Sequence, residues 1–134
     1  MGEVQNVQYL KRAFDLMKSD DYEGFVEMCS SDVVWKYPVM KHVPYGGRWL
    51  GREQVLRFFK IRNESEDVVD FRPGEYVAQE DNVVALGFYR GHVIHNGRVW
   101  DSGFAHFVSF RNGRIQRYEA YFDTAAAVEA HLPQ

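Results

Sequence analysis

The sequence predicts an α+β domain, and three observations carry that prediction. Apolar residues recur at helical spacing through the first half of the chain. From Val68 onward the pattern turns to long strand-like runs separated by short polar turns. Helices first and an antiparallel meander afterwards is the order of an α+β layout, with helices packed across one face of the sheet. A length of 134 residues suits a single domain spanning 1–134.

Taken in order, Val7, Leu10, Phe14 and Met17 step by three, four and three, which sets them on one face of a first helix. Ser19-Asp20-Asp21 ends it and caps a second helix from Tyr22 to Cys29. Val33 to Tyr37 is a strand by its β-branched and aromatic content, stopped by Pro38. Residues 39 to 51 read as a loop, and Arg52 to Asn63 as a third helix with Val55, Leu56, Phe58 and Phe59 inward. Val68 to Gln79 is a strand whose Pro73-Gly74 implies an edge position, a bulge or a sharp bend. Val83–His95 and Arg98–Phe110 form a hairpin about a two-residue Asn96-Gly97 turn. Asn112-Gly113 turns into Arg114–Phe122, and Asp123 or Thr124 caps a short helix over Ala125–Ala130. The expected architecture is three helices packed on a curved, mainly antiparallel sheet that encloses a pocket opening toward residues 39 to 51.

Composition narrows the function. A net charge of -3 gives no basic surplus to displace counterions, so a nucleic-acid partner is not expected. No apolar run approaches the ~20 residues of a membrane helix, so no membrane partner is expected either. The single cysteine, Cys29, fits a reducing, cytoplasmic setting. Three Trp, eight Tyr and ten Phe are enough to wall a core and a pocket for a small hydrophobic molecule.

Three features in this order carry a family resemblance: the helix–helix–strand start, Gly51-Arg52-Glu53-Gln54 opening the third helix, and a meander ending Gly113-Arg114-Ile115-Gln116. From Val7 to Leu132 the chain resembles the nuclear-transport-factor-2-like superfamily, and within it the SnoaL-like polyketide cyclases and ketosteroid isomerases. The resemblance implies a cone-shaped fold with a ligand inside, and reactions based on isomerisation, cyclisation or dehydration without a cofactor. It does not carry over the isomerase residues. The positions matching the isomerase's base, oxyanion Tyr and protonated Asp are Tyr37, Ala13 and His106. The Arg-x-Asp pair of the related epoxide hydrolases is met by Arg90 alone, since His92 stands where the Asp would be. Asp123 does resemble an acidic position of several relatives.

Strand parity sorts the candidate site residues, because alternate side chains share a face. With His106 facing the cone, Trp100, Ser102, Phe104, Tyr89, Tyr118 and Phe122 face it too. His106 is the candidate acid/base, since imidazole titrates near neutrality, and a core histidine held by a hydroxyl or carbonyl is the alternative. As a proton carrier it would be disabled by Gln nearly as much as by Ala. Tyr37 could donate to a developing oxyanion or simply wall the pocket. Asp123 could orient a base or cap the last helix. Expected ligand-binding side chains are Phe14, Met17, Trp49, Phe59, Tyr89, Trp100, Phe104, Tyr118 and Phe122. Neither a metal nor a cofactor is expected, because no His, Cys and carboxylate cluster falls on one face. The opposite parity carries Phe88, Phe107 and Tyr121 among charges, which suits a homodimer through the convex face. Two function classes remain open: a cofactor-independent acid/base enzyme acting on a carbonyl compound, and a binding or structural domain without turnover.

Overall fold

The computed structural model describes residues 2–133, and among them four helices and six strands form an α+β fold. Helix α1 (Glu3–Lys18) buries Leu10, Ala13, Phe14 and Met17, the stripe its spacing predicts, with Val7 half-buried at its edge. Asp21 caps α2 (Tyr22–Glu27) by accepting from the Gly24 amide at 2.9 Å. Strand β1 (Cys29–Tyr37) is longer than its hydrophobic run. The short β2 (Gly47–Leu50) pairs with it inside the segment read as loop. α3 (Gly51–Ser65) then leads directly into β3 (Glu66–Gln79), followed by β4 (Asn82–Val93), β5 (Val99–Arg111), β6 (Arg114–Phe122) and α4 (Thr124–Ala130).

The sheet order is β2-β1-β6-β5-β4-β3, antiparallel except where β1 lies parallel to β6. Register breaks at Val68/Asp70 and Pro73/Glu75 bend β3, as Pro73-Gly74 requires. The hairpin at Asn96-Gly97 departs from expectation. A two-residue turn would pair Val93 with Trp100, whereas Gly91 does so and residues 94–98 form a longer loop. The Asn96 side chain is engaged elsewhere. Its Nδ2 donates to the carbonyls of Ala130 and Leu132, and its Oδ1 accepts from the Arg98 amide. The shift is two residues, so side-chain parity survives and the expected faces hold.

The concave face carries the core. Trp35 is fully buried, stacked on Tyr118 at 4.0 Å and edge-on to Phe25, with Phe58 and Phe59 completing the cluster. Each such aromatic contributes roughly 1.5–3 kcal/mol through burial. Arg52 ties α3 to β1 by donating from Nε and Nη2 to the Cys29 carbonyl. The segment 39–46 does not lie over an open mouth. Met40, Val43 and Tyr45 turn inward and close that end of the cone. Among the described residues, no helix is long and apolar enough to cross a membrane.

Candidate functional site

A cavity of about 540 Å³ occupies the cone, a volume suited to a small organic molecule. His106, Trp100 and Phe104 from β5, Tyr89 from β4, Phe122 from β6, Tyr37 from β1, Phe71 from β3 and Met17 from α1 line it. Its mouth lies between the end of α1 and the start of β3, where Lys18, Asp20, Asn63, Asp67, Val68 and Val69 are exposed. The expectation of an opening toward 39–51 is corrected accordingly.

His106 is buried, with its ring stacked 4.3 Å from Phe104 and Phe71 beyond. Its Nδ1 is hydrogen-bonded to the hydroxyl of Tyr118, which is itself fully buried. Burial pushes the imidazole down to about 3 and the Tyr118 phenol well above its usual range. Both groups are therefore neutral near pH 7. Among the described residues the Tyr118 hydroxyl has no other acceptor, so it donates to Nδ1 and the ring proton sits on Nε2. That Nε2–H has no protein acceptor among the described residues, and neither has the Tyr37 hydroxyl. The rings of Tyr37 and His106 lie 6.3 Å apart. Burial pushes the Tyr37 phenol up to about 12, so it too is a donor.

Across the cavity stands a polar cluster built around Glu66, which is fully buried where α3 passes into β3. Its Oε1 accepts from the Tyr45 hydroxyl at 2.9 Å, its Oε2 accepts from Tyr89, and His131 Nε2 lies 2.9 Å from Oε1. Both phenols are held well above their usual range by burial and by the neighbouring carboxylate. His131 follows α4 and donates from Nδ1 to the Ala127 carbonyl at 2.8 Å. Burial works against its charge, but the Glu66 and Ala127 acceptors outweigh burial and raise its titration. Asn96 and Arg98 fasten the same helix end, donating to the carbonyls of Ala130 and Glu129. The longer 94–98 loop thus sets His131 against Glu66.

Gly91 makes room for this cluster. A Cβ there would stand 2.4 Å from Glu66 Oε2 and 3.0 Å from Trp100 Nε1. Gly91→Ala must displace a carboxylate held by Tyr45, Tyr89 and His131, and should cost about 1–3 kcal/mol in urea unfolding. A change under half of that lower bound would show that the carboxylate relaxes freely.

The two buried histidines give opposite pH responses. For His106, whose native titration lies below the ordinary value of 6.5, the unfolded chain takes up a proton first as pH falls. This group therefore removes stability between about pH 6.5 and 3, at about 1.4 kcal/mol per pH unit. For His131, raised in the native state, stability is present below 6.5 and is lost as pH rises through its native value. Imidazole NMR signals of His106 should stay neutral down to about pH 4, with those of His131 titrating above 6.5. A His106 midpoint near 6.5 would contradict the burial argument.

The structure sorts the residues that the sequence singled out. Tyr37, His106, Met17, Tyr89, Trp100, Phe104 and Phe122 come together on the cavity wall. Asp123 does not. It is exposed and caps α4, accepting from the Ala126 amide at 3.1 Å. Ser102 turns to the same junction and accepts from the Asp123 amide. Phe14, Phe59 and Tyr118 lie in the core behind the wall, and Trp49 faces an outer groove while donating to the Tyr45 carbonyl. The residues not anticipated are Arg62, Glu66, Phe71 and His131, together with the inward turn of Tyr45. One signal did exist for Arg62: the α3 stripe Val55, Phe58, Phe59 continues to it at helical spacing. Among the described residues no group of three or more His, Cys, Asp or Glu could hold a metal ion.

A bent sheet wrapped by helices around an aromatic cavity with few polar groups defines a cavity-enclosing cone. The sequence model of the SnoaL-like domain matches residues 10–118, and the chain belongs to that family. It is 25% identical over 125 residues to the uncharacterized protein YesE of Bacillus subtilis (strain 168), covering 90% of this chain and 83% of that protein. Its fold is similar to an NTF2-like protein from Burkholderia xenovorans LB400, at a TM-score of 0.90 and 25% identity over 98% of this chain and 99% of that one. It is also similar to TerC co-crystallized with polyporic acid, at a TM-score of 0.83 and 25% identity over 95% and 98% of the two chains.

Proposed function

We propose that this protein is a cofactor-independent enzyme that moves a proton on a hydrophobic carbonyl compound held in the cone. The observation that carries this reading is the pair of unspent donors, His106 Nε2–H and Tyr37 O–H, in a cavity that also holds the Tyr89–Glu66 hydrogen bond. A neutral imidazole is a good electrophile toward a developing enolate, because it stabilises charge without being consumed as an acid. His106 and Tyr37 bind the substrate oxygen. The substrate C–H proton passes to the Tyr89 oxygen as the Tyr89 hydroxyl proton moves onto Glu66, and its return to another carbon completes an isomerisation. Asp123 takes no part in this scheme. That TerC was crystallised with an organic acid supports a compact organic ligand in the same fold.

A second reading, a binding domain without turnover, is favoured by one fact. Glu66 is fully buried and already engaged by three groups. Titration with a panel of aromatic ketones and lactones, following His106 and Trp100 by NMR and product by chromatography, separates the two. Saturable shifts with product support the enzyme, shifts without product support the binder, and no shift at either residue defeats both.

The same reading includes a homodimer through the convex face. There Phe88 and Phe107 lie flat beneath Arg72, Arg90 and Arg117 at 4.9 to 5.4 Å, beside the half-exposed Tyr121. Gly103 leaves this face open, since a Cβ there would meet only the Gly87 carbonyl at 3.8 Å. Light scattering at micromolar concentration should give twice the chain mass, and a monomer mass would end the idea. A cytoplasmic setting is part of the proposal, supported by the buried free thiol of Cys29.

A further inference from the structure

We infer that Arg62 is an anion anchor and that the ligand is a small hydrophobic molecule carrying one ionised acid group, a carboxylate or its enolic equivalent. The inference rests on the ligand-binding reading of the cavity and names its substrate class. Arg62 occupies the last turn of α3, lines the cavity and is only 8% exposed. Its Nε donates to Asn63 Oδ1 at 3.0 Å, and its guanidinium lies 5.6 Å over the Phe59 ring. Among the described residues no carboxylate lies within 4.0 Å of it, and its two Nη groups donate to no protein acceptor.

A buried cation without a counter-charge is costly, and protein interiors usually supply a partner. Here Glu66, four residues further along and in the same cavity wall, is already engaged by Tyr45, Tyr89 and His131. Burial works against the Arg62 charge. The guanidinium nonetheless stays protonated, with the Glu66 carboxylate among the groups that favour its charge. The unused Nη fork matches the two oxygens of a carboxylate in a planar, bidentate pair, which a water molecule or a neutral carbonyl matches less well.

The charges at the mouth do not cancel this preference. Asp70 is paired with Arg72 at 2.8 Å, Asp67 faces His92 at 3.6 Å, Asp20 accepts from Tyr22, and Lys18 stands among them. These groups are largely exposed and screened by solvent, whereas Arg62 acts in a desolvated wall. The geometry thus orients a ligand by its acid end on Arg62 and leaves its apolar body to Phe71, Phe104, Trp100 and Phe122.

The test uses 2-naphthoate and its neutral methyl ester, titrated at neutral pH into the intact protein and followed by calorimetry and by the NMR signals of Trp100 and His106. A charge-assisted hydrogen-bonded pair should favour the carboxylate over the ester by about 10- to 100-fold. Arg62→Gln should abolish that preference while leaving ester affinity unchanged, and Arg62→Lys should keep part of it. Thermal unfolding of both variants checks that they fold. Equal binding of acid and ester to the unaltered protein overturns the anion anchor yet leaves the ligand cavity standing. So does a preference that survives in a folded Arg62→Gln. If Arg62→Gln fails to fold, a folded Arg62→Lys with an undiminished preference overturns bidentate pairing. If neither probe shifts Trp100 or His106, the cavity reading falls, and this inference with it.

Discussion

Glu66→Ala should lower the unfolding free energy by about 3–5 kcal/mol, the cost of removing one partner from a buried charge pair. The side chain is fully buried, and Tyr45 and His131 beside it are buried too, so bulk water cannot readily replace the acceptor these two lose. The Tyr45 and Tyr89 hydroxyls lose their acceptor, and His131 loses the carboxylate 2.9 Å from its Nε2. Glu66→Gln keeps the shape but offers one acceptor oxygen to several donors, and its amide N–H groups must face at least one of them. The loss should be smaller, about 1–3 kcal/mol, the penalty of one unsatisfied buried polar group. Urea unfolding of the two variants measures both numbers. The His131 imidazole should also lose part of its upward shift in Glu66→Gln, because the carboxylate supplies that shift together with the Ala127 carbonyl. An Ala variant as stable as the unaltered protein would mean the cluster opens to water in solution.

This cluster also marks where sequence reading stops. The sheet face was legible because strand parity is a period-2 property: it placed Tyr89, His106 and Tyr118 on one side even though the Asn96-Gly97 turn is longer than expected. The edge strand β2 was hidden because Gly47–Leu50 is four residues long and pairs only with β1. Glu66 was hidden for another reason. Asn63-Glu64-Ser65-Glu66-Asp67 reads as a solvated helix end, and only the tertiary arrival of Tyr45, Tyr89 and His131 makes burial of one carboxylate tolerable. His131 lies beyond a short helix whose docking depends on Asn96 and Arg98, contacts of more than thirty residues' separation that no local pattern encodes. Asp123 shows the converse. Its local signal as a cap was correct, and that local role takes its side chain away from the cavity.

His106→Ala should reduce turnover by about 10²–10³-fold, the usual effect of deleting one donor to a developing oxyanion. A proton carrier at this position would give a similar number, so the informative variant is His106→Gln. Burial holds the native imidazole near 3, which leaves it neutral across the working range and makes it a poor proton store near pH 7. As a donor it needs only an N–H aimed at the substrate oxygen, and a glutamine amide supplies one at about the reach of Nε2. His106→Gln should therefore retain much more activity than His106→Ala. The plain acid/base reading of the sequence demands that the Gln variant be nearly as inactive as the Ala variant. The control is Tyr118→Phe, which removes the hydroxyl that fixes the tautomer without touching the ligand. It should lower kcat with little change in KM, because it frees Nδ1 to take the proton that Nε2 must carry. The kcat profile of the unaltered enzyme should show no inflection from His106 near 6.5. Equal inactivity of the Ala and Gln variants, together with an inflection near 6.5 that His106→Gln removes, would return His106 to the role of proton carrier.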